Sequence, residues 1–117
     1  MESADPELVA YFKYLADEDG WAHTMQRLPQ GGAYWIKHKP EQLRECVRWL
    51  VNDPRMKAFG MALPSTCGPE GYALEKQKGS VLEVDAGAST TFDVEAGLLA
   101  EDEADSTEAH INAILRI

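Results

Sequence analysis

Six side chains in two stretches of the sequence could bind a polyhydroxylated ligand. Trp35 and Tyr72 carry aromatic rings, and such a ring offers an apolar platform edged by polar groups on which a sugar face can stack. Thr66 adds a hydroxyl that can donate a hydrogen bond to a ligand. Core packing explains Trp35 and Tyr72 equally well, and it explains Trp49 better. The candidate set is Trp35, Lys37, His38, Thr66, Glu70 and Tyr72.

Two members of this set, His38 and Glu70, could also move a proton. His38 could be a general acid, and Glu70, which follows Pro69 at a loop tip, could accept hydrogen bonds from hydroxyls or act as a base. Each also has a simpler interpretation. A lone histidine between Lys37 and Lys39 is commonly just solvated, and Glu70 could be an exposed loop carboxylate. The catalytic residues therefore stay unassigned, with His38 and Glu70 as weak candidates.

Other common chemistries lack their motifs in this chain. We find no glycine-rich phosphate loop, no Ser/His/Asp arrangement and no paired metal-ligand motif, so we expect no cofactor. The histidines His23, His38 and His110 are scattered along the sequence, and we predict no metal site. Cys46 and Cys67 fit no zinc spacing and lie in differently patterned segments, so we expect reduced thiols.

The bulk composition is that of one globular domain spanning the 117 residues, with 44% hydrophobic and 26% charged residues. A net charge of −9 argues against nucleic acid and anionic membranes as partners, because both are bound through clustered lysine and arginine. The N-terminus lacks the basic and apolar regions of a signal peptide, and no apolar run is as long as a membrane span. We therefore predict a cytoplasmic protein.

Strands must position the candidate residues, since β-rich runs alternate with Gly/Pro turns. The segment 8–15 could be a short helix or a strand, and its aromatic and valine content favours a strand. It and the segment 21–28 flank the turn signal Asp17–Gly20, and we expect them to pair as neighbouring strands of an antiparallel meander. On the second of these strands one face carries Trp21, His23, Met25 and Arg27. Ala33–His38 is a further strand, which ends before Pro40.

The segment Glu41–Val51 fits two structures. Its apolar residues recur at i, i+3, i+4 and i+7, which is typical of an amphipathic helix beginning near Pro40. With a period of two, one face of a strand carries Leu43, Val47, Trp49 and Val51, interrupted by Glu45.

The stretch 57–79 organises the rest of the chain. We predict a strand at Ala58–Leu63, a loop at Ser65–Gly71 that presents a binding surface, and then a solvated strand edge carrying Glu75, Lys76 and Lys78. Downstream we predict a short strand at Val81–Val84, a turn at Asp85–Ser89, a half-buried strand at Thr90–Leu99, and a terminal helix over 104–117 that Ser106 caps.

The order and spacing of these features resemble the C-terminal part of the aldose 1-epimerase (galactose mutarotase-like) superfamily, in particular its poorly characterised mutarotase-like branch. The resemblance covers nearly the whole chain. It rests on LVAYFKYL and WAHTMQRL around ADEDG, on EQL followed by a tryptophan, on GMALPSTCGPEGY, and on LEVDAGASTTFDVEAGLL with the final helix.

The resemblance implies a mainly β protein, a fragment of a supersandwich built of antiparallel sheets with a C-terminal helix. It also implies a strand rather than a helix for Glu41–Val51. The superfamily's general acid lies in the part of the fold that this chain lacks, and its general base falls at Leu63 or Pro64, which cannot take a proton. If any activity survived, it would be that of an aldose 1-epimerase-like isomerase.

Two functions follow as expectations. The first is a carbohydrate-binding protein of mutarotase-like ancestry, without epimerase activity because the acid/base pair is missing. The second is a structural or protein-interaction module. Half a sandwich leaves an apolar sheet face and an unpaired edge, so we expect a homo-oligomer, most simply a dimer.

Overall fold

The computed structural model describes residues 7–116, and within them the protein is mainly β, with antiparallel sheets and a C-terminal helix, as the sequence predicted. The elements, in chain order, are β1 (Glu7–Phe12), β2 (Ala22–Arg27), β3 (Ala33–His38), β4 (Glu45–Asp53), β5 (Met56–Phe59), β6 (Leu63–Ser65), α1 (Tyr72–Lys78), β7 (Val94–Leu99) and α2 (Glu101–Leu115). The chain divides into two compact units, each with its own sheet.

The first unit contains the described residues up to Lys13 together with Leu43–Thr91, and β4 is the centre of its sheet. This strand pairs antiparallel with β1, β5 and β6, and its side chains Cys46, Val47 and Val51 are buried. The strand assignment for this segment is therefore confirmed from Glu45 onward. The helical periodicity is overridden because three strands hydrogen-bond to the β4 backbone.

Two strand predictions in the first unit need correction. The first strand does not pair with the second, because β1 aligns along the whole of β4, from Glu7 opposite Val51 to Phe12 opposite Cys46. The single strand predicted at Ala58–Leu63 is two strands with a break at 60–62. At the break the Gly60 N–H donates to the Trp49 carbonyl oxygen (3.1 Å), and a Cβ at Gly60 would lie only 2.7 Å from that oxygen.

The stretch after the loop is also different from the prediction. The polar run is not a strand edge but the helix α1, which ends at Gly79 in the left-handed conformation (φ 77°) that glycine adopts without strain. Val81–Val84 forms no strand in the described structure, and the predicted strand Thr90–Leu99 is regular only from Val94. In its sheet β7 pairs with β3 rather than with the Val81–Val84 segment.

The second unit contains Tyr14–Gln42 and the described residues from Phe92 onward. Its sheet has the order β2–β3–β7, with His23 opposite Lys37 and Trp35 opposite Gly97. Two of the four residues predicted to share a face of this strand, His23 and Arg27, both contact α2. The buried apolar side chains of this unit are small: Ala22, Ala33 and Ala104.

The terminal helix begins earlier than predicted. It starts at Glu101 rather than 104, because the Glu103 carboxylate accepts a hydrogen bond from the Ala100 backbone N–H (3.2 Å). Ser106 is inside the helix and donates to the Asp102 carbonyl oxygen, so it is not the cap. Ile117, which the prediction included, lies outside the described residues. Among the described helices, neither has the length and apolar character needed to cross a membrane.

Candidate functional site

The best-defined polar cluster lies in the second unit. The turn after Tyr14 positions its carboxylate. The Asp17 N–H donates to the Trp21 carbonyl oxygen (2.8 Å), and Oδ1 of Asp17 accepts the N–H groups of Asp19 and Trp21, both at 3.0 Å. Gly20 supports this turn with a φ of 85°. These bonds fix the carboxylate of Asp17 and leave its other oxygen, Oδ2, facing away from the turn.

Two histidines from different elements meet at that oxygen. Nε2 of His23 on β2 lies 2.9 Å from Asp17 Oδ2, and Nε2 of His110 on α2 lies 3.2 Å from it. The two imidazole rings meet edge to face with centroids 4.9 Å apart. Asp17 and His23 are largely buried, with side chains 13% and 10% exposed, whereas His110 is 48% exposed. The cluster is therefore open to solvent on the α2 side.

A hydrogen bond from a neighbouring tryptophan determines the tautomer of His23. The indole Nε1–H of Trp35 points at His23 Nδ1 (3.3 Å), and an indole N–H can only donate. Nδ1 must accept, so the neutral ring carries its proton on Nε2 and donates it to Asp17. The side chains of Trp35, His23 and Asp17 are thus linked by a chain of two hydrogen bonds.

Hydrogen bonding also controls the ionisation of Asp17. Burial, the largest single influence, raises the pKa of this carboxyl. The hydrogen bonds from His23, Trp21 N–H, His110 and Asp19 N–H act in the opposite direction, and together they hold the pKa well below its usual value of 3.8. Asp17 is therefore a fixed negative charge at every physiological pH.

The cluster borders a cleft of about 450 Å³. Its walls are Ala16, Asp17, Glu18, Asp19, His110, Ala113, Ile114 and Arg116. Of these, Arg116 carries a positive charge, and Asp17, Glu18 and Asp19 are carboxylates. The arrangement can bind a cation at the Asp17 end and hydrogen-bond a small polar molecule in the cleft.

Two of the predicted binding residues, Trp35 and Lys37, come together on the same face of β3. The Lys37 ammonium lies 4.4 Å from the centroid of the Trp21 ring and 5.8 Å from that of Trp35. Its other neighbour is the Glu95 carboxylate at 3.4 Å. We call Trp21, Trp35, Lys37 and Glu95 the tryptophan–lysine face.

His38 is separated from this face because neighbouring side chains of a strand point to opposite sides. Its side chain is fully buried, and the ring packs edge-on against Tyr14. The expectation of a solvated histidine is therefore wrong. Desolvation lowers the pKa of His38, so the buried ring is neutral at pH 7 and cannot serve as an acid for an external ligand.

The remaining predicted residues, Thr66, Glu70 and Tyr72, lie in the first unit. Glu70 is exposed, accepts a hydrogen bond from the Tyr11 hydroxyl (3.3 Å) and forms an ion pair with Lys78 (2.6 Å). Tyr72 is 69% exposed at the start of α1. Thr66 is half-buried in the preceding loop.

The loop is held by Glu75, a residue that the sequence suggested was solvated. Its carboxylate is buried and accepts hydrogen bonds from the Gly68 N–H (2.8 Å), the Ser80 hydroxyl (2.7 Å) and the Lys78 ammonium (3.0 Å). The bonds from Ser80 and Lys78 lower the pKa of Glu75 to about 2, against the weaker opposing effect of burial.

Comparison with known proteins adds no relative: no family model matches the chain, and neither a curated protein nor a solved structure gives a significant match. The site must be interpreted from its own geometry.

Proposed function

We propose that this chain is a carbohydrate-binding protein of mutarotase-like ancestry, and that it binds sugar on the tryptophan–lysine face. The observation that supports the proposal is the position of the Lys37 ammonium over two indole rings, with the Glu95 carboxylate 3.4 Å away. A sugar ring presents apolar C–H groups to an aromatic face and hydroxyls at its rim. Such a ligand would stack on indole and hydrogen-bond to the charged pair.

Gly97 lies opposite Trp35 in the register of β3 and β7. A Cβ at Gly97 would meet no heavy atom within 4 Å among the described residues, so the space at this position is open. A larger residue at position 97 would occupy the place that we assign to the sugar.

We further propose that the protein has no epimerase activity. Mutarotation needs a base at the anomeric hydroxyl and an acid at the ring oxygen, both within hydrogen-bond reach. Leu63 and Pro64, where the resemblance locates the base, belong to β6 and cannot accept a proton. The weak candidate acid, His38, is buried.

Titration with a panel of hexoses, followed by calorimetry or amide chemical shifts, tests this proposal. We expect saturable binding that Trp35→Ala weakens about tenfold or more, and that Gly97→Leu blocks while leaving Trp35 in place. Tyr34→Ala is the matched control, because Tyr34 is exposed on the opposite face of the same strand. Failure of every hexose to bind, or equal loss in the control, would overturn the proposal.

A second candidate function, protein association, is favoured by exposed apolar side chains at a sheet edge. β7 is the last strand of its sheet, and its Leu98 is 67% exposed beside Tyr34 (51%), its partner in the register. An edge strand with exposed apolar residues can pair, along its free side, with the edge of another sheet. Two copies would pair through β7 about a twofold axis.

Sedimentation equilibrium tests this alternative. We expect a dimer that Leu98→Lys converts to monomer, while Leu15→Lys, a change of similar exposure outside the strands, does not. A wild-type monomer at all concentrations would rule it out. A cytoplasmic location stays a prediction.

A further inference from the structure

We propose that Asp17, His23 and His110 form a binding site for a divalent transition-metal ion of the zinc class, with one coordination position open to the cleft. The inference is independent of the sugar-binding proposal. It departs from the expectation of no metal site, which rested on the separation of the histidines along the sequence.

The distances between the three donor atoms suit such an ion. Each of the three residues offers one ligand atom, and these atoms all lie within 4.8 Å of one another. Asp17 Oδ2 is 2.9 Å from His23 Nε2 and 3.2 Å from His110 Nε2. Around a tetrahedral zinc ion with bonds of 2.0–2.1 Å, neighbouring donor atoms are about 3.3 Å apart. The donors are thus close to the required separations before any ion binds.

The donor types and their supports fit as well. Two imidazoles and one carboxylate are a common set for zinc sites that keep an open position for water. Asp17 is held by two backbone N–H groups on Oδ1, so Oδ2 is oriented without further ordering. The three ligands come from a turn, a strand and a helix, and a bound ion would therefore fasten α2 to the sheet.

One contact opposes metal binding, and it gives the proposal its sharpest test. A metal on His23 Nε2 displaces the ring proton to Nδ1, where it faces the Trp35 indole N–H, also a donor. The 3.3 Å hydrogen bond must break when the ion binds. Removing the indole N–H while keeping an aromatic ring should therefore tighten metal binding, whereas a merely surface-bound ion would not respond.

The open position faces the cleft, where His110 and Arg116 are exposed. A water molecule on the metal would lie on this side, and the Arg116 guanidinium could pair with an anion that replaces it. We assign no reaction to the site.

Titration of the full chain with Zn²⁺ by calorimetry, and with Co²⁺ by visible absorption, tests the proposal. We expect one equivalent to bind, intense Co²⁺ bands typical of low coordination number, and at least tenfold weaker binding in His110→Ala. His110 is exposed on a helix, so this variant should fold. Asp19→Asn, which alters an acidic neighbour in the same cleft, is the matched control and should bind as wild type does.

Trp35→Phe should bind Zn²⁺ more tightly than wild type, by about threefold or more. In the wild type, the metal should change tryptophan fluorescence as the indole hydrogen bond breaks. Unchanged affinity in His110→Ala, equal weakening in Asp19→Asn, or weaker binding in Trp35→Phe would each overturn the assignment. None of these results depends on sugar binding, so the two proposals fail separately.

Discussion

The imidazole of His38 packs edge-on against the phenol ring of Tyr14, with ring centroids 4.1 Å apart and the histidine fully buried. Neither ring nitrogen of His38 has a hydrogen-bond partner among the described residues. Protonating this ring in the folded state therefore carries a desolvation penalty that is absent for a solvated histidine.

The burial of His38 predicts that the protein loses stability as the pH falls from 7 to values below 6.5. Desolvation lowers the pKa of His38 in the folded state below its usual value of 6.5. The unfolded chain then binds the extra proton first, so the stabilisation is present above pH 6.5 and is lost as pH falls towards the folded pKa. His38→Phe keeps an aromatic ring against Tyr14 and should remove this part of the pH dependence. Urea unfolding of both proteins across this range measures the difference, and parallel pH curves would contradict the prediction.

From the hydrogen bonds of Glu75 we predict a second loss of stability, at more acidic pH. Its folded pKa is about 2, against a usual value of 4.5, chiefly because Ser80 and Lys78 hydrogen-bond to the carboxylate. Its stabilisation is therefore present above pH 4.5 and disappears as pH falls towards 2. Glu75→Gln should lower the free energy of unfolding at pH 7 and speed exchange of the Gly68 amide, which donates to Glu75. Glu70→Gln, a change at an exposed carboxylate, is the control and should leave the Gly68 amide protected.

Local signals in the sequence were enough to predict several elements. The strand Ala33–His38 was predicted with its observed bounds because a Gly-Gly turn precedes it and Pro40 follows. Trp35 and Lys37 were both among the candidate binding residues, and they lie on one face of β3 because residues two apart on a strand share a face. In these cases the determining interactions lie within a few residues.

Long-range pairing could not be predicted in this way. The meander prediction assumed that neighbouring strands pair, whereas β1 bonds to β4, which lies more than thirty residues later. The helix α1 was missed because its sequence is polar and its one buried side chain, Glu75, is a carboxylate satisfied by Gly68 and Ser80. His110 joins Asp17 across 93 residues, and no local pattern signals such a contact.

Position 32, just before β3, has no room for a side chain larger than that of glycine. A Cβ at this position would lie 2.6 Å from the backbone oxygen of Leu99, and backbone cannot move aside as a flexible side chain can. Gly32→Ala should lower the free energy of unfolding by roughly 1–3 kcal/mol through overpacking. Gly97→Ala, in the partner strand, has open space at its Cβ and should be neutral or slightly stabilising. Equal effects of the two variants in thermal or urea unfolding would contradict this explanation.

The ion pairs of Arg27 join α2 to its sheet, and their contribution to stability can be tested. From β2 its guanidinium donates to the Gly31 carbonyl oxygen (2.5 Å) and pairs with Asp105 and with Glu108 (2.7 Å) on the helix. These carboxylates are at least half exposed, and ion pairs of this kind contribute little to stability. Arg27→Gln should therefore destabilise the protein only slightly, and the loss should shrink at high salt.

Hydrogen exchange locates the effect of this change. Amides of α2 should exchange faster in Arg27→Gln, because the ion pairs join the helix to β2, while the amides of β4 in the other unit should keep their wild-type rates. Arg55→Gln is the matched control, since Arg55 is 90% exposed and pairs only within its own turn, with Asp53. An Arg27→Gln variant whose α2 amides and salt dependence match those of Arg55→Gln would show that buried Ala104 and its neighbours, rather than the ion pairs, hold the helix in place.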